Sequence, residues 1–213
     1  LISERLAHDF PFITISDKIR VAWNLPSKSF FNKFKLTKPY EKRDPIVGYV
    51  GKICASKGVL KLVEAIPQIL KQKSDITFLF IGDSEERELI RTVHRKLTIF
   101  RYSVKLLGYV PHDQLTDYYN NMRLLVLPSY SEGLPHVVLE AMACGTPVLS
   151  TSVGGIRDIV GKNSERGFLL NSIEPEEIAS KIITLVKDQE LLDKTSQNAI
   201  SWIKENITLE KTR

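Results

Sequence analysis

"SEGLPHVVLEAMACGTPVLS", Ser131 to Ser150, is the stretch on which the reading of this chain turns. Pro135 suits a first helical turn, where its missing N–H would be unpaired in any case. Gly145 stands where a helix commonly ends. Between them every residue except His136 and Glu140 is apolar or small, the composition of a helix buried on most sides. The strand-like run "RLLVLPS" (123–129) comes before it and "TPVLST" (146–151) after it. The segment therefore reads as strand, loop, buried helix, strand.

Outward from there the same unit recurs. "PIVGYVG" (45–51) is a short apolar run ending in glycine, and Val59, Leu62, Val63, Ile66, Ile69 and Leu70 follow it at helical spacing. Ser56 is the expected N-cap of that helix, and Pro67 is expected to kink or shorten it. A strand at "ITFLFIG" (76–82), a helix around "EERELIRTVHRKL" (85–97), a strand at "SVKLLG" (103–108) and a helix around "HDQLTDYYNN" (112–121) lead back to the opening stretch. Beyond it come a short helix at "IRDIV" (156–160), a strand at "GFLL" (167–170), and helices over 174–187 and about 189–206. This alternation predicts the α/β class: a doubly wound, Rossmann-like parallel sheet of six or seven strands with helices on both faces, over residues 45–200.

The ends read differently. Residues 1–16 look like the tail of a helix and a loop, the remnant of a preceding domain, and "DKIRVAWN" (17–24) looks like a strand entering a lysine-rich interdomain linker, 17–44. Residues 201–213 are expected to begin a segment returning toward that preceding domain. On this reading the chain begins inside something larger.

A chain of 213 residues with 43% hydrophobic residues can bury one large core. No apolar run approaches the roughly 18 residues of a membrane span, and the first residues lack the order of a signal peptide. Cys54 and Cys144 fit neither a redox pair nor a zinc spacing, which suggests reduced thiols and the cytoplasm. Much of the net charge of +5 comes from Lys28, Lys33, Lys35, Lys38, Lys42 and Arg43, read as a solvated linker. Without interleaved aromatic residues it gives no reason to expect a nucleic-acid partner. The chain has no GxxxxGKS/T, no GxGxxG, and no Asp-x-Asp or His/Asp metal spacing, so neither a metal nor a cofactor is expected.

Glu140 is the anomaly that points to chemistry. A carboxylate inside an apolar helix needs donors, from an internal arginine, a backbone N–H or a ligand, because an unpaired buried charge costs several kcal/mol. Helix N-termini at the carboxyl ends of parallel strands favour phosphate. At about 1.5 Å per residue, Glu140 lies roughly 7–8 Å along the helix from Pro135, enough to span a diphosphate and reach a sugar beyond it. Phosphates on the N–H groups near Gly133 and Leu134 would put a ribose diol, with its two donors, on Glu140 and a second sugar near Glu132.

"GKICASKG" (51–58), "SEGLPHVVLEAMACGTPV" (131–148) and "SVGGIRDIV" (152–160) resemble the donor-binding half of retaining GT-B glycosyltransferases of family GT4. The specific element is Glu132-x7-Glu140 inside E-G-x-P-x4-E-A-M-A-x-G-x-P-V, and the resemblance covers nearly the whole chain. It implies a metal-independent, nucleotide-sugar-binding domain, the C-terminal half of a two-domain enzyme. Glu132 would contact hydroxyls of the donor sugar and Glu140 those of the ribose. Lys52 and Lys57 would hold the diphosphate and stabilise the leaving group, Gly51 and Gly58 would let the backbone approach it, and Gly154 and Gly155 would line its other side. The loop carrying Tyr109 and Val110 would border the base.

Lys52 stands where the family usually has arginine, which keeps the charge and loses the bidentate fork. "IGDS" (81–84) replaces a more glycine-rich turn, and Asp158 stands where glutamate is commoner. A glycan or lipid-linked acceptor and further catalytic groups would sit on the other domain, so these residues alone are expected to bind nucleotide weakly and transfer no sugar. The resemblance also allows peripheral association of the full-length protein with the inner face of the membrane. Two alternatives stay open: a non-catalytic nucleotide-binding or regulatory module of the same fold, and a sugar-nucleotide epimerase.

For His136, in the first helical turn, both contact with the donor and an exposed bystander role stay open. His94 and His112 read as surface or cap residues, Cys54 as a small filler and Cys144 as core. Trp23 and Trp202 are expected to pack where this domain meets its partner.

Overall fold

The computed structural model describes residues 33–133, 135–161 and 165–207. The expected remnant at 1–16, the strand at 17–24 with Trp23, Leu134 and the tail 208–213 lie outside these residues. In chain order the regular elements are β1 (Ile46–Val50), α1 (Val59–Gln72), β2 (Thr77–Ile81), α2 (Arg87–Leu97), β3 (Val104–Leu106), α3 (Leu115–Asn121), β4 (Leu124–Leu127), α4 (His136–Ala143), β5 (Val148–Thr151), α5 (Ile156–Val160), β6 (Phe168–Leu170), α6 (Pro175–Lys187) and α7 (Gln189–Asn206).

The six strands pair in the order β3-β2-β1-β4-β5-β6, every pairing parallel. All of β4 and β5 is buried, as expected of parallel strands covered on both faces. α1 packs against α2 and α6, and α4 packs against α3 and α7, giving the two helical layers. The connections run one way from β1 to β3 and the other way from β4 to β6, so the order reverses between β1 and β4. That reversal opens a crevice at the carboxyl ends of these two strands.

The expectation at Ser56 fails, while Pro67 leaves α1 unshortened. Ser56 does not cap α1: it sits in a 3-10 turn, Ala55–Lys57, and the capping position is Gly58, without a side-chain bond. Gly58 has φ +64°, and a Cβ there would come within 2.0 Å of the Pro128 carbonyl oxygen, so the loop after β1 can pass the end of β4 only as glycine. Pro67 lies within α1, which continues to Gln72. It is on the exposed side of the helix, where its lost hydrogen bond is open to solvent.

Arg43 is not part of a solvated linker, being 2% exposed. Its guanidinium donates to the carbonyls of Tyr119, Met122, Lys38 and Cys144 and to Thr146 Oγ1, at 2.6–3.4 Å. Met122 and Cys144 are the C-caps of α3 and α4, so one cation ties together the negative ends of two helices. Burial pushes its pKa down to about 10, and the side chain stays charged at neutral pH. Phe34 and Tyr40 are buried in the same core.

At the other end α7 runs through residue 200 to Asn206 without a break, and Ile203 is buried. Trp202 packs against this domain's own core, with the Arg166 guanidinium 4.9 Å from its ring centroid. Among the described residues no helix is long and apolar enough to cross a membrane.

Candidate functional site

The loop after β1 (51–58) and the loop after β4 (128–135) face each other across the crevice. They are joined by a hydrogen bond from Tyr130 N to the Ser56 carbonyl at 2.9 Å. The floor is apolar strand end, and two adjoining hollows open above it, sharing Val50, Gly51, Lys52 and Val137. The larger, about 440 Å³, is lined by the loops after β2 and β3 and by Glu140. The smaller, about 290 Å³, is lined by Lys57, Glu132, Pro135 and His136. The loop before α4 and α4 itself thus present one carboxylate to each side.

In the smaller hollow Glu132 is held from both loops. Lys57 Nζ lies 2.7 Å from Oε2, and Ser129 Oγ donates to Oε1 at 2.6 Å. The carboxylate side chain is 7% exposed, so these donors offset much of its desolvation. Behind it, Gly155 N donates to the Gly133 carbonyl at 3.0 Å. Gly154, with φ +54°, passes so close that a Cβ would meet the Glu132 carbonyl oxygen at 2.1 Å. The residues expected to line this side therefore do converge: Lys57, Glu132, Gly133, Gly154 and Gly155. Leu134 lies outside the described residues. His136 is exposed and lines the hollow.

In the larger hollow Glu140 is 4% exposed, and among the described residues a phenol and an imidazole, not an arginine, hold it. Its donors are Tyr119 Oη on Oε2 and His112 Nε2 on Oε1, each at 2.8 Å. Burial first, then the charge of Glu140, pushes the Tyr119 pKa well above the usual phenol value, so Tyr119 acts only as a donor. Tyr109 and Val110 line the same hollow, Tyr109 being 74% exposed at its mouth. Lys52 lines both hollows and pairs with Glu85 at 3.0 Å, both side chains largely exposed.

His112 is a surface residue, as expected, but not a cap, a position that Gln114 holds. It reaches α4 from the loop after β3 and bonds the buried carboxylate. Tyr119, on α3, had not been singled out at all. The available signal was the unmet need of Glu140 for donors. In an open parallel sheet these should come from loops at the same strand ends, and "PHD" (111–113) supplies an imidazole there. His94 is exposed, as expected. Among the described residues no three His, Cys, Asp or Glu side chains converge as metal ligands.

Comparison with known proteins identifies the family and the fold. The family model "Glycosyl transferases group 1" matches residues 31–202. The capsular polysaccharide biosynthesis glycosyltransferase CapM of Staphylococcus aureus is 32% identical over 176 residues, covering 79% of this chain and 46% of CapM. Among solved structures, the C-terminal domain of the group 1 protein LpcC from Francisella tularensis matches with a TM-score of 0.74 at 23% identity, covering 84% of this chain and 98% of that domain. Anabaena HepE in complex with UDP and glucose gives 0.74 at 24% identity, covering 85% of this chain and 52% of HepE. These structural likenesses establish the fold, the C-terminal half of a GT-B architecture. The chain spans about half the length of the curated relatives it matches. With the family model covering most of its length, the chain belongs to the glycosyl transferases group 1 family.

Proposed function

We propose that this chain is the donor-binding domain of a retaining glycosyltransferase that moves a hexose-type sugar from a nucleoside diphosphate sugar to a glycan or lipid-linked acceptor. One observation carries the reading: two carboxylates eight positions apart, Glu132 and Glu140, each line one of two adjoining hollows that share a lysine. A nucleoside in the larger hollow would place its ribose hydroxyls on Glu140 and its base against Tyr109 and Val110. The diphosphate would cross the shared floor at Gly51, between Lys52 and Lys57. The hexose would enter the smaller hollow beside Glu132, and the lysines would stabilise the negative charge that grows on the departing phosphate. The complex of HepE with UDP and glucose, and CapM's role in polysaccharide synthesis, support this reading. The acceptor and the remaining catalytic groups belong to the other half of such an enzyme, so these 213 residues alone bind nucleotide weakly and turn over no sugar.

Thermal melts with UDP-, GDP- and ADP-sugars test it. A ligand at about 100 times its Kd stabilises a protein by about 2.7 kcal/mol, so the matching donor should raise Tm by several degrees, and Glu140→Ala should abolish the rise. No shift with any of the three would overturn the proposal. Retention is checked on the full-length enzyme by the anomeric configuration of its product.

A further inference from the structure

Glu140 has a donor on each oxygen from the protein itself, and the two donors differ in kind. Tyr119 is fully buried on α3 and belongs to the core. His112 is 56% exposed and sits in the wall of the larger hollow beside Glu140, its ring edge-on to buried Phe34 with centroids 5.0 Å apart. An ionised carboxylate only accepts, so the His112 nitrogen facing Oε1 carries the proton.

A carboxylate gripped at one oxygen can still turn about its last torsion, which is broad and roughly two-fold. A second donor on the other oxygen stops that rotation. Of about four acceptor positions on the group, two are then taken, leaving one on each oxygen. A vicinal diol presents two O–H donors, one for each. The core bond from Tyr119 cannot produce this arrangement without the bond from His112.

We propose that His112 is a positioning residue that fixes the Glu140 carboxylate for two-point recognition of a ribose diol, and so sets the preference of this site for ribonucleotides over 2′- and 3′-deoxy nucleotides. The inference rests on the larger hollow being the nucleoside site. It adds a residue from a different loop, acting through Glu140 without itself touching the sugar.

The test uses the intact protein and isothermal titration. UDP, GDP and ADP identify the preferred base, and the ribo, 2′-deoxy and 3′-deoxy diphosphates of that base are then titrated into wild type, His112→Ala and His112→Gln. Wild type should favour the ribonucleotide by about tenfold or more, equivalent to about 1.4 kcal/mol. In His112→Ala the ribonucleotide should lose about that factor while the deoxy ligands change little, so the preference collapses. His112→Gln, whose amide also offers an N–H, should restore it. An equal loss for all three ligands in His112→Ala, with the preference intact, would mean that His112 only shapes its loop and would overturn the inference. Failure of wild type to bind any of UDP, GDP and ADP would overturn the nucleoside reading itself.

Discussion

Lys57 and Glu132 form an ion pair of 2.7 Å across the topological switch point, the lysine from the loop after β1 and the glutamate from the loop after β4. The proposed phosphate-binding cation is thus paired with the proposed sugar-binding carboxylate. A diphosphate between the loops would compete for Lys57, while Ser129 still holds the other oxygen of Glu132.

This gives two lysines two different signatures. Lys57→Ala leaves a buried carboxylate short of a donor and should cost about 1–3 kcal/mol in a urea titration, the partial exposure of Lys57 reducing the full penalty. It should also weaken nucleoside diphosphate binding tenfold or more, by the order expected for a lost charge-assisted contact. Lys52 pairs in the open with Glu85, so Lys52→Ala should leave stability unchanged and weaken binding, most at low salt. Unchanged nucleotide affinity in either variant would remove that lysine from the site.

Gly154 and Gly133 make a second matched pair. A Cβ on Gly154 would run into the carbonyl oxygens of Glu132 and Gly133, at 2.1 and 2.6 Å, from a left-handed backbone position. Around Gly133 nothing lies within 4 Å of that point. Gly154→Ala should therefore cost about 1–3 kcal/mol and displace Glu132, while Gly133→Ala should stay within about 0.5 kcal/mol of wild type. Equal melting temperatures for the two variants would show that the approach of Gly154 to the β4 loop has no energetic weight.

The elements legible in the sequence were those with periodic apolar patterns. α5 and α7 lie where expected, and the six described strands fall inside the predicted runs, because burial imposes a period that local sequence records. Glu140 was legible because an acidic residue in an apolar segment violates that pattern, and Glu132 through its place before the same helix. What stayed hidden were partners distant in sequence. His112 is 28 residues from Glu140 and Tyr119 is 21 residues from it, and Arg43 bonds a carbonyl 101 residues away. Such pairings are created by the order of strands in the sheet. A basic residue in a lysine-rich stretch looks solvated until the helix ends that it ties together are known. The reading of Ser56 as a cap failed for a related reason: the approach of Pro128, from another strand, makes Gly58 the entry to α1.

The two cysteines offer a test of where the phosphates lie. Cys54 is half-buried in the loop between Lys52 and Lys57, with Sγ 3.3 Å from Ser56 Oγ. Cys144 is buried, and its desolvation pushes the thiol up to about 12. At pH 8 an alkylating reagent should label the native chain once, at Cys54, and label Cys144 only after unfolding. The raised pKa also has a stability consequence: between pH 9.0 and about 12 the unfolded chain holds fewer protons at this thiol than the native one. The contribution from keeping Cys144 protonated is thus fully present below pH 9.0 and is lost as pH rises toward 12. If the diphosphate bridges Lys52 and Lys57, saturating nucleotide should slow labelling of Cys54 several-fold. Undiminished labelling, under conditions where titration shows the nucleotide bound, would place the phosphates away from this loop.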